Sequence, residues 1–332
     1  MYTDEYLKLF SVKSSDITIN GDIYKNVAKR LAFNEFPYPR YDQSQFPEDN
    51  MKFAKFIVLS NIINFATFTP IKNKLLLLHM GVEYKGSEAL AMALKLAIDQ
   101  DLIELDFGYF ASNIFTSEIL NQVFSIIQNS FFDGRGVLLA DQRFLMIKNF
   151  SKEFIAKYKY FEEFLSLCQG SALSMHGLVS RLSLLSGYDK DKEFLNKRAS
   201  LCAYMIHSRG VETQDKVLQF DDADRLPPLA DSQIFRYMLA EQIIYVHPYF
   251  LYRLHCKTIF DENDSRDLSY IHTMRSVTIV AMALLLEAIN HLRTARGFKK
   301  INMIQLDSYL WRRSRSGAYG DTYYPYMLTT NC

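Results

Sequence analysis

Two carboxylates and one pair of cations are the residues of this chain whose types and settings can do chemistry. Asp231 ends the segment Leu229-Ala230-Asp231 and opens a helix, with Ile234, Phe235 and Met238 following at helical spacing. Asp307 is enclosed by Met303, Ile304, Leu306, Leu310 and Trp311, so it points near a core or a cleft. A buried carboxylate is costly unless it is paired, hydrogen-bonded or used. Two of them from distant segments suggest a site. Each also has a plainer reading. After Pro227-Pro228, Asp231 has the position of a helix N-cap, and Asp307 can pair with a buried arginine or amide. Lys197 and Arg198 stand in a helical segment, Phe194 to Ala203, whose other positions are mostly apolar or small. Such a pair can hold a phosphate. Taken alone, the segment favours the plainer alternative, in which Arg198 meets a core carboxylate and Lys197 reaches water.

The elements that must position these groups are helices. Apolar residues recur every three or four positions, as in Leu90, Leu94, Ala97 and Ile98, or Phe154, Tyr158, Phe161 and Leu165. The spacing predicts helices over about 22–32, 51–67, 87–100, 116–128, 140–149, 151–167, 171–185, 191–208, 231–243, 249–257, 266–293 and 303–311. Period-2 runs are few: Val82-Glu83-Tyr84 reads as a short extended piece, and Thr18-Ile19-Asn20-Gly21 as a turn more than a strand. Pro37 and Pro39 break the chain after the first helix. Asp221 to Arg225 and Asp261 to Arg266 read as solvated, charged loops. The expected fold class is all-α, mainly helical, with few or no short strands. Without a tandem repeat, a low-complexity linker or a composition seam, residues 1–332 read as one domain, with 1–50 as an N-terminal arm packed on it.

Composition narrows the partners. Lys and Arg number 38 against 37 Asp and Glu, a net charge of +1, so no polyanion is expected as the main partner, whether nucleic acid or membrane surface. The four cysteines, Cys168, Cys202, Cys256 and Cys332, have no CxxC spacing and no clustered histidine, so zinc is not expected and the thiols read as reduced and intracellular. The start lacks the basic-then-apolar order of a signal peptide, and no apolar run approaches a membrane span; the expected location is the cytoplasm. No Gly-rich phosphate loop, nucleophile elbow, HExxH or kinase motif is present. His176 and His207 can line a polar site, but lone histidines on apolar faces are more often structural.

The order of segments resembles the queuosine salvage family, the queuosine 5′-phosphate N-glycosylases, whose helical fold is similar to that of DNA glycosylases. The resemblance runs through Ser15–Asn20, Phe56–Phe65, Tyr84–Gly86 leading into Ala93–Asp99, Phe194–Ala199, Leu229–Asp231, Val277–Leu284, Gln305–Trp311 and Tyr324–Thr329. Each piece is short; their collinearity makes the match specific. The chain departs from the family pattern at Ser232–Phe235, at Ser87 and Glu88, at Asn61 where an Asp is common, and near Met205, close to another usual Asp.

The resemblance implies hydrolysis of the N-glycosidic bond of queuosine 5′-monophosphate, freeing queuine for reinsertion into tRNA. Loss of the base leaves an oxocarbenium-like ribose, and a carboxylate against C1′ stabilises that charge or attacks it; Asp231 takes this role. Lys197 and Arg198 hold the 5′-phosphate, Asp307 accepts from the base, and Phe235, Phe65 and Trp311 stack on it. Water is the second substrate, and no metal or cofactor is required. The departures carry an alternative, a catalytically weak or inactive paralogue that still binds a nucleotide or modified base.

Overall fold

The structure, a computed structural model, describes residues 17–69, 73–128, 137–189, 195–316 and 323–329. Ser15, Asp16, Phe194 and Cys332 lie outside the described residues. The chain divides into two compact units, Met1–Pro39 with Asp224–Leu328, and Arg40–Ala223 with Thr329–Cys332. It starts in the first unit with β1 (Ile17–Ile19) and α1 (Gly21–Leu31). It then builds the second from α2 (Asn50–Ile62), β2 (Leu76–His79), β3 (Val82–Lys85), α3 (Ser87–Asp99), α4 (Phe107–Ala111), α5 (Ser117–Phe124), α6 (Ala140–Lys157), α7 (Phe161–Ser166), α8 (Leu178–Leu182) and α9 (Lys197–Thr213). The return to the first unit adds α10 (Ser232–Ala240), β4 (Ile244–Val246), α11 (Pro248–His255), β5 (Ile259–Asp261), α12 (Ser265–Ala295), α13 (Met303–Arg315) and β6 (Tyr326–Leu328). The described chain is mainly helical, as its periodicity predicts.

In the first unit α12 is the axis. Its 31 residues bury Met274, Val277, Ile279, Val280, Met282, Leu285 and Ile289, and α1, which buries Val27, Ala28 and Leu31, and α10, which buries Ile234, Phe235 and Met238, pack on it. By length and composition α12 could cross a membrane, which corrects the expectation that no run approaches a span; 61% of its most apolar window is buried, as in a core helix. Three-residue ladders close the ends: β1 pairs antiparallel with β4, from Ile17 opposite Val246 to Ile19 opposite Ile244, and β5 runs parallel to β6. The turn expected at Thr18–Gly21 is therefore a strand followed by the Asn20 cap of α1. Three residues are too few to carry a period-2 signature.

The second unit packs α9 on α2 and α6 on α4. Phe107, Phe150, Phe154, Phe161 and Phe164 form one aromatic cluster with ring centroids 4.6–6.1 Å apart. The two helices expected over 140–149 and 151–167 are one continuous helix to Lys157 and a short one from Phe161, because Ser151 is buried inside α6 rather than capping a new helix. The helix expected over 171–185 reduces to Leu178–Leu182. Its first turn is unmade by the Asp222 carboxylate, which accepts from Ser171 Oγ at 2.6 Å and from the N–H groups of Ala172 and Leu173 at 2.7 and 2.9 Å. Asp222 is thus a structural residue rather than part of a purely solvated loop.

Candidate active site

Asp231 is placed by its local sequence. Pro227 and Pro228 remove two backbone donors and hold the segment extended, Leu229 and Ala230 are buried, and Asp231 stays extended at φ −89° and ψ 142°. Its Oδ1 accepts from Gln233 N–H at 2.8 Å, and its carbonyl accepts the first helical bond from Phe235 N–H at 3.0 Å. The N-cap reading of Asp231 is therefore correct as geometry, and the carboxylate stands half-buried at the start of α10. Phe235, one turn on, is buried.

α10 is fastened to the last turns of α13. Arg236 donates to the carbonyl of Ser314, and Ser314 Oγ donates to Gln233 Oε1 at 3.3 Å. α13 starts from a capping box in which Asn302 and Gln305 exchange bonds. Asp307 is half-buried, and Trp311 lies one turn later on the same side, with the Arg315 guanidinium 4.6 Å from its ring. Seven residues separate Asp307 from Ser314, about 10 Å along the helix. The first unit thus sets Asp231, Phe235, Asp307 and Trp311 on two packed helices, with Asp307 about two turns from the junction beside Asp231.

In the second unit Lys197 and Arg198 form the first turn of α9. Leu195 and Asn196 before them are both left-handed, at φ 59° and 51°, and among the described residues no side chain caps the helix. A helix N-terminus that carries a lysine is chemically suited to an anion. Arg198 is buried; its Nη1 donates to Gly187 O at 2.5 Å and its guanidinium lies 5.2 Å from the centre of the Phe65 ring. A side chain at Gly187 would be strained by φ +87° and crowded by Ile62 Cγ2 at 3.2 Å from where its Cβ would stand.

Phe65 has a second cation over it. Arg143, fully buried, places its guanidinium 4.3 Å from the same ring and donates to the carbonyls of Ile63 at 3.1 Å, Leu138 and Phe65. The ring expected to stack on a base is here engaged by two guanidinium groups. Reasoning from the sequence missed Arg143, although a lone cation in the stripe Ile147, Phe150, Phe154 is the signal that singled out Asp307.

Behind Arg198 the interior is polar and neutral. Tyr188 donates to Val58 O at 2.7 Å and lies 3.1 Å from Cys202 Sγ, and burial pushes the Cys202 thiol up to about 12 and the Tyr188 phenol well above its usual value. Burial likewise raises Cys168 to about 11. Neither thiol is a nucleophile at neutral pH. His207 is buried and accepts from Phe220 N–H through Nδ1 at 2.9 Å, a structural role. Asn61 and Met205, two of the departures from the family pattern, touch: Asn61 Nδ2 is 3.9 Å from Met205 Sδ. Among the described residues no group of three or more His, Cys, Asp or Glu could hold a metal ion.

A family model described as queuosine salvage protein matches residues 44–331. All seven residues singled out in the sequence fall within that span. Ser15–Asn20 precedes it. A comparison with curated proteins finds no match.

Proposed function

The chain belongs to the queuosine salvage family, and from that premise we propose that it is an N-glycosyl hydrolase cleaving queuosine 5′-monophosphate to queuine and ribose 5-phosphate. The observation that carries this reading is Asp231, a half-buried carboxylate fixed at a helix start beside buried Phe235. As the bond from C1′ to the base breaks, its electron pair leaves with the base and positive charge builds on the ribose. Asp231 stabilises that charge or attacks C1′ directly. Water supplies the hydroxyl that ends on C1′ and the proton that ends on the base. Asp307 accepts hydrogen bonds from the base, with Phe235 and Trp311 as its apolar surfaces. Lys197 and Arg198 receive the phosphate, to which the start of α9 adds its N–H groups. We place the enzyme in the cytoplasm, and keep as a proposal the single-domain organisation with residues 1–50 as an arm.

A second reading is favoured by one contact. Asn61, a neutral amide where an Asp is common in the family, touches the thioether of Met205, which falls near another usual Asp, and this fits a paralogue that binds a nucleotide or modified base with weak turnover or none. One assay separates the two. Purified protein is incubated with queuosine 5′-monophosphate, queuosine and guanosine 5′-monophosphate, and free base is detected. Release from the first substrate above the others supports hydrolysis; binding of the first without release supports the paralogue.

A further inference from the structure

The basic loop after α12 is not used by this chemistry. Arg293 to Lys300 holds four cations and no carboxylate in eight residues: Arg293, Arg296, Lys299 and Lys300. Arg293 is structural. Its Nε donates to Lys299 O at 2.7 Å, and its Nη1 donates to Ala32 O at 2.8 Å and Asn34 O at 3.2 Å, so the loop is pinned to the segment that follows α1. Gly297, at φ +75°, makes the turn this pinning needs. Arg296, Lys299 and Lys300 are exposed, and none forms an ion pair among the described residues.

Two phenylalanines are exposed within this charge. Phe33 is 39% and Phe298 50% accessible, their ring centroids are 5.6 Å apart, and the Arg296 guanidinium lies 4.4 Å from the Phe33 ring. Cations at helix ends are ordinarily explained by the helix dipole. That account does not explain why two large apolar rings stay in water beside them. Lys300 lines a groove of about 370 Å³ whose apolar lining is Leu226, Ala283, Leu286 and Met303. Its volume suits a planar ring. Asp224 and Glu287, which also line the groove, repel phosphate, so an anionic backbone would follow the loop while a base turns inward.

We propose that this surface, the loop Arg296–Lys300 with Phe33 and the adjoining groove, binds single-stranded nucleic acid. Phosphates meet Arg296, Lys299 and Lys300, and unpaired bases meet the exposed rings and the groove's apolar lining. An acidic peptide would satisfy the cations but leave the rings unused. The net charge of +1 averages over this patch, which is why composition does not reveal it. The proposal is independent of the N-glycosidase reading, and its variants touch none of the residues assigned to that reaction.

The test is fluorescence anisotropy on the full chain with a labelled mixed-sequence RNA of about 12 nucleotides. The matching single-stranded DNA, an RNA duplex and a poly-glutamate peptide are measured alongside, in about 50 and about 150 mM KCl. Both single strands are expected to bind more tightly than the duplex or the peptide, and less tightly at the higher salt. Lys299→Gln with Lys300→Gln should reduce the slope of log affinity against log salt by about 1.4, at about 0.7 for each phosphate no longer neutralised. Phe298→Ala should weaken single-strand binding by about fivefold or more, with the salt slope kept. Thermal melting confirms that these surface variants fold. A difference between RNA and DNA identifies which strand is the ligand. No binding at the lower salt, peptide binding as tight as RNA, or RNA binding indifferent to all three substitutions would overturn the proposal.

Discussion

Replacing Asp231 separates a structural role from a chemical one, because the structure assigns its side chain a measurable structural bond. Oδ1 accepts from Gln233 N–H at 2.8 Å. Asp231→Asn keeps an oxygen in that place and removes the charge, whereas Asp231→Ala removes both. Loss of an N-cap acceptor costs about 1 kcal/mol, which for a unit of this size lowers the melting temperature by roughly 2–4 °C. The alanine variant should melt lower by that amount and the asparagine variant within about 1 °C of the parent. Activity should behave otherwise. Deleting one preorganised electrostatic group at a developing charge costs about a hundred- to a thousandfold, so both variants should lose roughly 3–4 kcal/mol of transition-state stabilisation in kcat/KM. The assay is chromatographic detection of base released from queuosine 5′-monophosphate, with melting measured on the same preparations. If Asp231→Asn melts like the parent and turns over within about tenfold of it, about 1.4 kcal/mol, Asp231 is a cap and not the catalytic carboxylate.

Lys197→Met should weaken use of the 5′-nucleotide far more than of the nucleoside, since a charge-assisted phosphate contact exists only for the former; equal loss in KM for both would make the lysine structural. Asp307→Ala should narrow the preference for the queuine-type base over poorer ones, because its acceptor is lost. A large fall in melting temperature with unchanged selectivity would defeat that role. Arg143→Lys replaces a fork reaching four carbonyls, those of Ile63, Leu138, Phe65 and Ala66, by a single ammonium and should cost at least about 3 kcal/mol; unchanged melting would refute its bracing role. Burial holds the His207 imidazole below its usual value, against the opposing pull of the Asp222 carboxylate. A depressed folded-state value means that its contribution is full above about pH 6.5 and lost as pH falls through the folded value. Melting followed from about pH 7.5 to about pH 5.5 should decline in the parent and less steeply in His207→Asn, which keeps an acceptor for Phe220 N–H. Equal slopes would exclude His207 as the cause.

Much of the helical skeleton and the setting of Asp231 were legible in the sequence, because both are local. Helical periodicity located α3, α11 and α12 within a residue or two, and the order Pro227-Pro228-Leu229-Ala230-Asp231 contains its own capping logic: two missing donors, two buried anchors, one short acceptor. What failed was decided by partners far along the chain. The helix expected from 171 is unmade by Asp222, some 50 positions away, whose carboxylate takes the N–H groups that a helix would leave for its own cap. The strand at Ile17–Ile19 exists because Ile244–Val246 lies beside it.

The candidate site divides along the same line. Residue types nominated Asp231, Asp307, Lys197 and Arg198, since a charge in an apolar stripe is visible in one dimension. Only the tertiary structure could place Arg143 and Arg198 over Phe65, because a guanidinium chooses its carbonyls and rings from whatever segments pack around it. It was also the fold that gathered Phe33, Phe298 and Arg296 at one surface. Net charge and composition sum over the chain and discard position, whereas recognition depends on which charges end side by side.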